Sequence, residues 1–288
     1  MSINLTREQF NDLITKNKKI GEGTDGTCYR LGKKVYKIYH TSQSHKFTFD
    51  IELDSSGVRL HNGKNNNVVR LNDIKKIEYT DQDEIRLGTE SGLIKAINRG
   101  THIAGSNLPS DIIYVHGKVR GCVYPYYKHV NSIYKAYRKN LKTRLKICMS
   151  LYNKVKELVD NNIYPIDLAQ KGKEKLFDKS RCNVFLSHKN EPIIIDLDGK
   201  SALYTENYNR RYEEMTSNSL ITLLFEIITR EDIQEDLEEE DIDTIKFYLS
   251  NTGLSQELIE RFLDGNMTMK DVNKSLEEVN NKFVKKIK

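Results

Sequence analysis

Three glycines spaced Gly21-x-Gly23-x-x-Gly26, and a lysine eleven residues beyond the last of them, Lys37, are the first residues of this chain with chemistry to offer. Glycines so spaced can bring backbone N–H groups close to phosphate, and the residues that follow decide which kind of phosphate site they suit. A dinucleotide fingerprint needs a helix after the glycines and an acid about 20 residues on. A Walker loop needs Gly-Lys-Ser/Thr. Here the glycines run instead into Thr27-Cys28-Tyr29-Arg30-Leu31, which is strand-like. The pattern predicts a glycine flap at the end of a β-hairpin, able to close its amides over phosphate oxygens. Lys37 lies within Val35-Tyr36-Lys37-Ile38, one cation among apolar strand residues. A lysine on the inner face of a strand requires a negative partner, and phosphate supplies one.

These groups must be positioned by a β-rich first part. Residues 5–17 read as a short amphipathic helix with a Thr6-x-x-Gln9 capping box. Strand, glycine loop, strand, a turn at Leu31-Gly32-Lys33 and a further strand follow. Alternation continues over 46–80, broken at Ser55-Ser56-Gly57 and at 61–67, and predicts a meander of three or four short antiparallel strands. Residues 81–99 can form a helix, weakened at Gly88 and Gly92 by roughly 1 kcal/mol each relative to Ala. Segment 111–127 reads as a strand, a His-Gly turn and a second strand ending near Pro125.

From about residue 130 the apolar period changes to three and four. One long amphipathic helix is predicted over 131–160 and a hairpin over 183–199, turning at His188-Lys189-Asn190. A buried helix follows at 217–229, then amphipathic helices at 240–250, 255–263 and 269–285. The acidic run Glu231–Asp243 reads as a solvated turn and helix start.

Composition bounds the function classes. The chain has 288 residues, with 46 Lys+Arg against 41 Asp+Glu and 38% hydrophobic residues. That length suits two modest domains or one bilobal unit and can bury a core without metal or disulfide staples. A net charge of +5 made of nearly cancelling acids and bases gives no reason to expect specific nucleic-acid binding. No apolar run is long enough to span a membrane, and the first ten residues lack a signal-peptide core. Cys28, Cys122, Cys148 and Cys182 are far apart, without paired metal spacing, as for reduced thiols in a cytoplasm.

Two further motifs complete an order that resembles the protein kinase-like superfamily, in particular bacterial and phage serine/threonine protein kinases. Asp178 and Asn183, five apart in LFDKSRCNVFL, match the catalytic-loop pattern D-x-x-x-x-N followed by an apolar strand. Ile193-Ile194-Ile195-Asp196-Leu197-Asp198-Gly199 looks like the family's strand and metal-binding D-F-G motif. The resemblance implies an α+β, bilobal fold: an antiparallel β-rich N-lobe over 1–125, with 46–80 as an inserted β-meander, and an α-helical C-lobe over 126–288.

It also implies ATP and Mg²⁺ as cofactors, and a role for each matching residue. Gly21, Gly23 and Gly26 would cover the phosphates and Lys37 would contact the α- and β-phosphates. The hinge at Tyr124-Pro125-Tyr126 would meet adenine through its backbone. Glu90, or Glu84, would be the helix carboxylate that pairs with Lys37. Asn183 and Asp196 would hold Mg²⁺, and one more carboxylate would take the proton of the acceptor hydroxyl. For that base two candidates stand. Spacing to Asn183 favours Asp178, whereas distance from the preceding helix and the Asp-Leu step in Ile163-Tyr164-Pro165-Ile166-Asp167-Leu168 favour Asp167, to which the balance leans.

The chain departs from the family in lacking the loop His-Arg, for which Lys173, Lys175 or Lys179 could supply the charge, and in having no A-P-E motif. The implied activity is transfer of the γ-phosphate of ATP to a hydroxyl of a protein. The alternatives are transfer to a small hydroxyl-bearing acceptor, as in aminoglycoside and choline kinases, and a pseudokinase that serves as an interaction module.

Overall fold

The computed structural model describes residues 2–22, 26–40, 50–54, 57–62, 65–69, 94, 97–98, 107–168, 183–197, 202–205, 207–231, 233 and 241–285. The first part is a sheet with one helix against it. Strand β1 (Ser2–Leu5) leads into α1 (Arg7–Lys16). Its start is fixed by the expected capping box: Gln9 N–H donates to Thr6 Oγ1 at 3.2 Å, and Thr6 N–H donates to Gln9 Oε1 at 2.9 Å. Next come β2 (Lys18–Glu22), β3 (Gly26–Leu31) and β4 (Lys34–Tyr39), then β5 (Asp50–Asp54), β6 (Gly57–Asn62) and β7 (Asn65–Val69), then β8 (Asp111–Val115) and β9 (Lys118–Pro125).

Six of these strands form one sheet in the order β1-β8-β9-β4-β3-β2, while β5, β6 and β7 pair antiparallel in a sheet of their own. The main sheet is antiparallel except at its edge, where β1 runs parallel to β8 with Ser2 opposite Ile112. The two-residue turn between β8 and β9 has positive φ at both positions, 52° at His116 and 72° at Gly117, the backbone that lets tight hairpins follow the strand twist. One face of the sheet packs Ile38, Ile113 and Val123 against Leu13 of α1, and the other gathers Ile112, Cys122 and Tyr124.

The second part is mainly helical. After β10 (Asn131–Ser132) the chain makes a 3₁₀ helix over Ile133–Arg138, and α2 occupies Leu141–Asp160. The single helix expected over 131–160 is therefore broken near residue 140. Asn140 stays extended and its side chain accepts the Thr143 N–H at 2.9 Å, so it starts a new helix and does not continue the old turn.

Short strands β11 (Ile163–Pro165), β12 (Val184–Leu186), β13 (Pro192–Ile194) and β14 (Ala202–Tyr204) follow, then α3 (Arg210–Thr229), α4 (Ile242–Thr252), α5 (Gln256–Leu263) and α6 (Met269–Lys285). Helix α3 begins seven residues before the expected 217, because Asn209 caps it by accepting the Tyr212 N–H at 3.1 Å. Apart from Asn218 and Ser219, residues Thr216–Ile228 are buried, and α2, α4 and α6 pack along this central rod. Arg144 of α2 donates to the carbonyls of Ile227 and Ile228 at 3.0 and 2.8 Å, placing a cation at the negative end of α3. Of the acidic run, Glu231, Ile233 and 241–243 are among the described residues. So are Ile94, Ile97 and Asn98 of the helix expected at 81–99, and all three are helical.

Candidate functional site

The site is assembled where the sheet meets the helical part. Lys37 lies in β4 between Cys28 of β3 and Cys122 of β9, on strands drawn together by two glycines. A Cβ at Gly26 would stand 2.4 Å from the Ile38 carbonyl oxygen, and one at Gly121 would stand 2.0 Å from that of Lys37. A side chain at either position would push a neighbouring strand away and carry Lys37 with it. The lysine is 7% exposed, and its Nζ forms an ion pair with the Asp196 carboxylate across 159 residues of sequence. The Tyr39 ring centre lies 6.0 Å from Nζ, and its hydroxyl meets Cys122 Sγ at 3.3 Å.

Hairpin β12–β13 places the next two groups. With Val184 opposite Ile194, the chain on either side of the hairpin end holds Asn183 and Asp196 next to each other, and Ile195 N–H donates to the Asn183 carbonyl at 2.8 Å. Asp196 takes a left-handed backbone, φ 63°, and so leaves the strand direction and turns toward Lys37. The Asn183 side-chain nitrogen donates to the Asp167 backbone oxygen at 2.8 Å and to its Oδ2 at 3.1 Å. Both partners are acceptors, which fixes the orientation of the amide and directs Asn183 Oδ1 elsewhere.

Asp167 is exposed, but the backbone beside it is tied down. Leu168 N–H donates to Ser219 Oγ of α3 at 2.9 Å, and β11 just before it pairs with β14, Pro165 opposite Ala202. The segment after Asp196 is stitched to the same place, with Tyr204 Oη donating to the Leu197 carbonyl at 2.6 Å.

Lys37, Asp196, Asn183 and Asp167 are thus brought together. Asp178, Gly23, Glu84, Glu90, Lys173, Lys175 and Lys179 lie outside the described residues. Gly21 is in β2 opposite Cys28, with open space where a Cβ would stand. Tyr124, opposite Val35 near the end of β9, has its side chain buried. Tyr126 lies under the Arg30 guanidinium, 4.2 Å from its ring centre, and gives its N–H to the Lys33 carbonyl at 2.9 Å. The Tyr126 amide is therefore engaged by the sheet.

Gly121, Tyr39 and Ser219 contribute to the site without having been singled out from sequence. Gly121 had a signal, a glycine within the otherwise β-branched and aromatic run VRGCVYPYY. Such a glycine marks close approach of a neighbouring backbone.

Asp196 and the Asn183 amide oxygen are hard oxygen donors on adjoining positions. Two such ligands fit Mg²⁺, which keeps waters and fills its octahedron with phosphate oxygens rather than an all-protein cage. Among the described residues no cluster of three or more His, Cys, Asp or Glu could hold an ion alone, and none of the described helices is long and apolar enough to cross a membrane.

No protein-family model and no curated protein sequence matches the chain. Solved structures do. An apo pseudokinase superposes with a TM-score of 0.54 at 11% identity, over 96% of this chain and 97% of that one. The pseudokinase DRIK1 (drought responsive inactive kinase 1), bound to ENMD-2076, gives 0.50 at 11% identity over 96% of each chain. The Cydia pomonella granulovirus kinase PK-1 gives 0.45 at 14% identity, over 93% of this chain and 97% of that one. At such identities it is the fold that is shared, and with its β-rich first part and helical second part the chain has the bilobal, α+β fold of the protein kinase-like superfamily.

Proposed function

We propose that this chain is an ATP- and Mg²⁺-dependent phosphotransferase that moves the γ-phosphate of ATP to a hydroxyl, in the first instance of a serine or threonine in a protein. The observation that carries the reading is the convergence of Lys37, Asp196, Asn183 and Asp167, each held by contacts to another of the set or to its immediate neighbour. A buried lysine and a carboxylate paired across the cleft form a site whose charges can be redistributed when a polyanion enters. With nucleotide bound, Lys37 would contact the α- and β-phosphates, and Asp196 with Asn183 Oδ1 would hold the metal. Mg²⁺ held by Asp196 and Asn183 Oδ1 would neutralise charge on the transferring group. Asp167, exposed beside Asn183, accepts the proton of the incoming hydroxyl and aims its oxygen at the γ-phosphorus. Its contact with Asn183 supports Asp167 as the base.

Two other readings each have an observation in their favour. The stretch between Leu197 and the first turn of α3 at Arg210 is short, and part of it is paired with β11, which leaves little platform for a peptide and suits a small hydroxyl-bearing acceptor. The direct Lys37–Asp196 pair, the missing loop His-Arg and the likeness to two pseudokinase structures suit a nucleotide-binding interaction module.

Incubation of the purified chain with γ-labelled ATP, Mg²⁺ and either protein or small-alcohol acceptors separates the three. Label on protein that disappears in Asp196→Ala supports the first reading, label on the small acceptor supports the second, and ATP binding without transfer supports the third.

A further inference from the structure

Away from the cleft, charge is unevenly spread. From residue 112 to residue 156 the sequence has eleven Lys+Arg and not one Asp or Glu, so that only 35 of the 46 bases face the 41 acids elsewhere. The middle of that stretch collects its bases in one part of the fold, just past the hinge. Lys135 stands on the 3₁₀ helix, Lys139 at its end, and Lys142 and Lys146 on the first two turns of α2. Lys128, Lys135, Lys142 and Lys146 are exposed. Arg230, the left-handed C-cap of α3, joins them from another element by donating to the Lys139 carbonyl at 3.3 Å. Lys135 Nζ bonds the neutral Asn131 Oδ1 at 3.2 Å, and among the described residues Lys128, Lys135, Lys139, Lys142 and Lys146 make no ion pair.

This arrangement runs against helix stability. A helix N-terminus carries partial positive charge and is stabilised by acids, yet the first turn of α2 has none and bears Lys142 with Lys139 just ahead of it. Lys142 and Lys146 are like charges one turn apart, which repel. Buried Arg144 beneath them has its pKa lowered, first by burial and then by the charge of Arg230, so a second cation raises the potential at this spot. Among the described residues no carboxylate pairs with these lysines, and an anion supplied from outside would compensate positive charge gathered against the helix dipole.

We infer that Lys128, Lys135, Lys139, Lys142, Lys146 and Arg230 form a docking surface for an acidic segment of another protein. The 3₁₀ helix and the first turns of α2 each span about 10 Å, together a footprint for a short extended peptide. Outside 112–156 the chain carries more acids than bases and repels a polyanion long enough to leave the patch. Of the two aromatics in its midst, Tyr134 is fully buried and Tyr137 packs edge-on against it, part of the same core.

The test needs no phosphotransfer, so its failure is distinct from failure of the proposed activity. A fluorescein-labelled octapeptide of Asp and Glu is titrated with the full chain at low salt and followed by anisotropy. The triple variant Lys135→Gln, Lys142→Gln, Lys146→Gln weakens binding by about tenfold or more, whereas Lys246→Gln with Lys270→Gln, on the exposed faces of α4 and α6, leaves it unchanged. The triple variant melts at the same or a higher temperature, since it removes like charges from a helix start; lysines with a merely structural role would lower it. Equal peptide binding by the triple variant overturns the inference. So does tighter binding of a short single-stranded oligonucleotide, or of phosphatidylserine vesicles, than of the peptide.

Discussion

The sheet that carries Lys37 and the helical body that carries Asp167, Asn183 and Asp196 are held together in different ways. In the sheet the apolar groups divide between two small clusters, Leu13 with Ile38, Ile113 and Val123 on one face and Ile112, Cys122 and Tyr124 on the other. In the helical body one continuous cluster runs from Ile133 to Val279, is joined by Leu108 from the first part, and encloses α3, whose Leu220, Leu223, Leu224, Phe225 and Ile227 are wholly inaccessible. Among the described residues the links between the parts include the Lys37–Asp196 pair, the Asn107 N–H donated to the Ile194 carbonyl at 2.8 Å, and Leu108 packed into the helical cluster. The difference teaches that the carboxylates stand on the stiff half and the lysine on the light one.

The largest effect that could break this comparison comes from Asp196→Ala. It is expected to abolish transfer of label from ATP and, because Lys37 loses its carboxylate, to speed hydrogen exchange in β3, β4 and β9 while α2 and α3 stay protected. Equal loosening of both halves would show that they are one cooperative unit. Next is the base. Asp167→Asn should lower kcat by about 10²- to 10⁴-fold with its fold intact, and Asp178→Asn should not; the reverse result moves the base to Asp178.

Two truncations then weigh the cores against each other. Phe225→Ala is expected to cost about 3–5 kcal/mol and Ile113→Ala about 2–5 kcal/mol. In calorimetry the first should lower the melting of the whole chain. The second should release the sheet ahead of the helices as a separate, earlier transition. Smallest is a pH effect confined to the stiff half. Burial alone would raise the Asp271 carboxyl, but hydrogen bonds from Thr268 Oγ1 and N–H and from Arg261 outweigh it and hold the group below its ordinary 3.8. A depressed pKa stabilises the fold above 3.8 and ceases to do so as pH falls through the lower folded value. Asp271→Asn should therefore be less stable than the parent at neutral pH, with the gap closing below about pH 4 in denaturant titrations.

Much of this was legible where signals are local. The capping box at Thr6, the Gly32 and His116-Gly117 turns, the strand around Lys37 and the hairpin ahead of Asp196 all follow from neighbours a few residues apart. Long-range pairing was not. Nothing in Ser2–Leu5 announces a parallel partner more than a hundred residues away, and the β11–β14 pair that tethers Asp167 joins two three-residue strands too short to carry alternation. The break at Asn140 was hidden because apolar residues continue at helical spacing through it, while the capping side chain decides the backbone. Between Asp167 and Asp178, spacing along the chain favoured one and the order of elements the other, and of the two only Asp167, which meets Asn183, is among the described residues.

The parallel pairing of β1 with β8 has a consequence for handling the protein. Asp111–Val115 is an apolar strand with the antiparallel β9 on one side and Ser2–Leu5 as its cover on the other. Cut away those four residues, or wrench them with a bulky leader, and the bare amides and carbonyls of Asp-Ile-Ile-Tyr-Val become a template for a strand from the next molecule. The opening residues thus act as a guard against self-association.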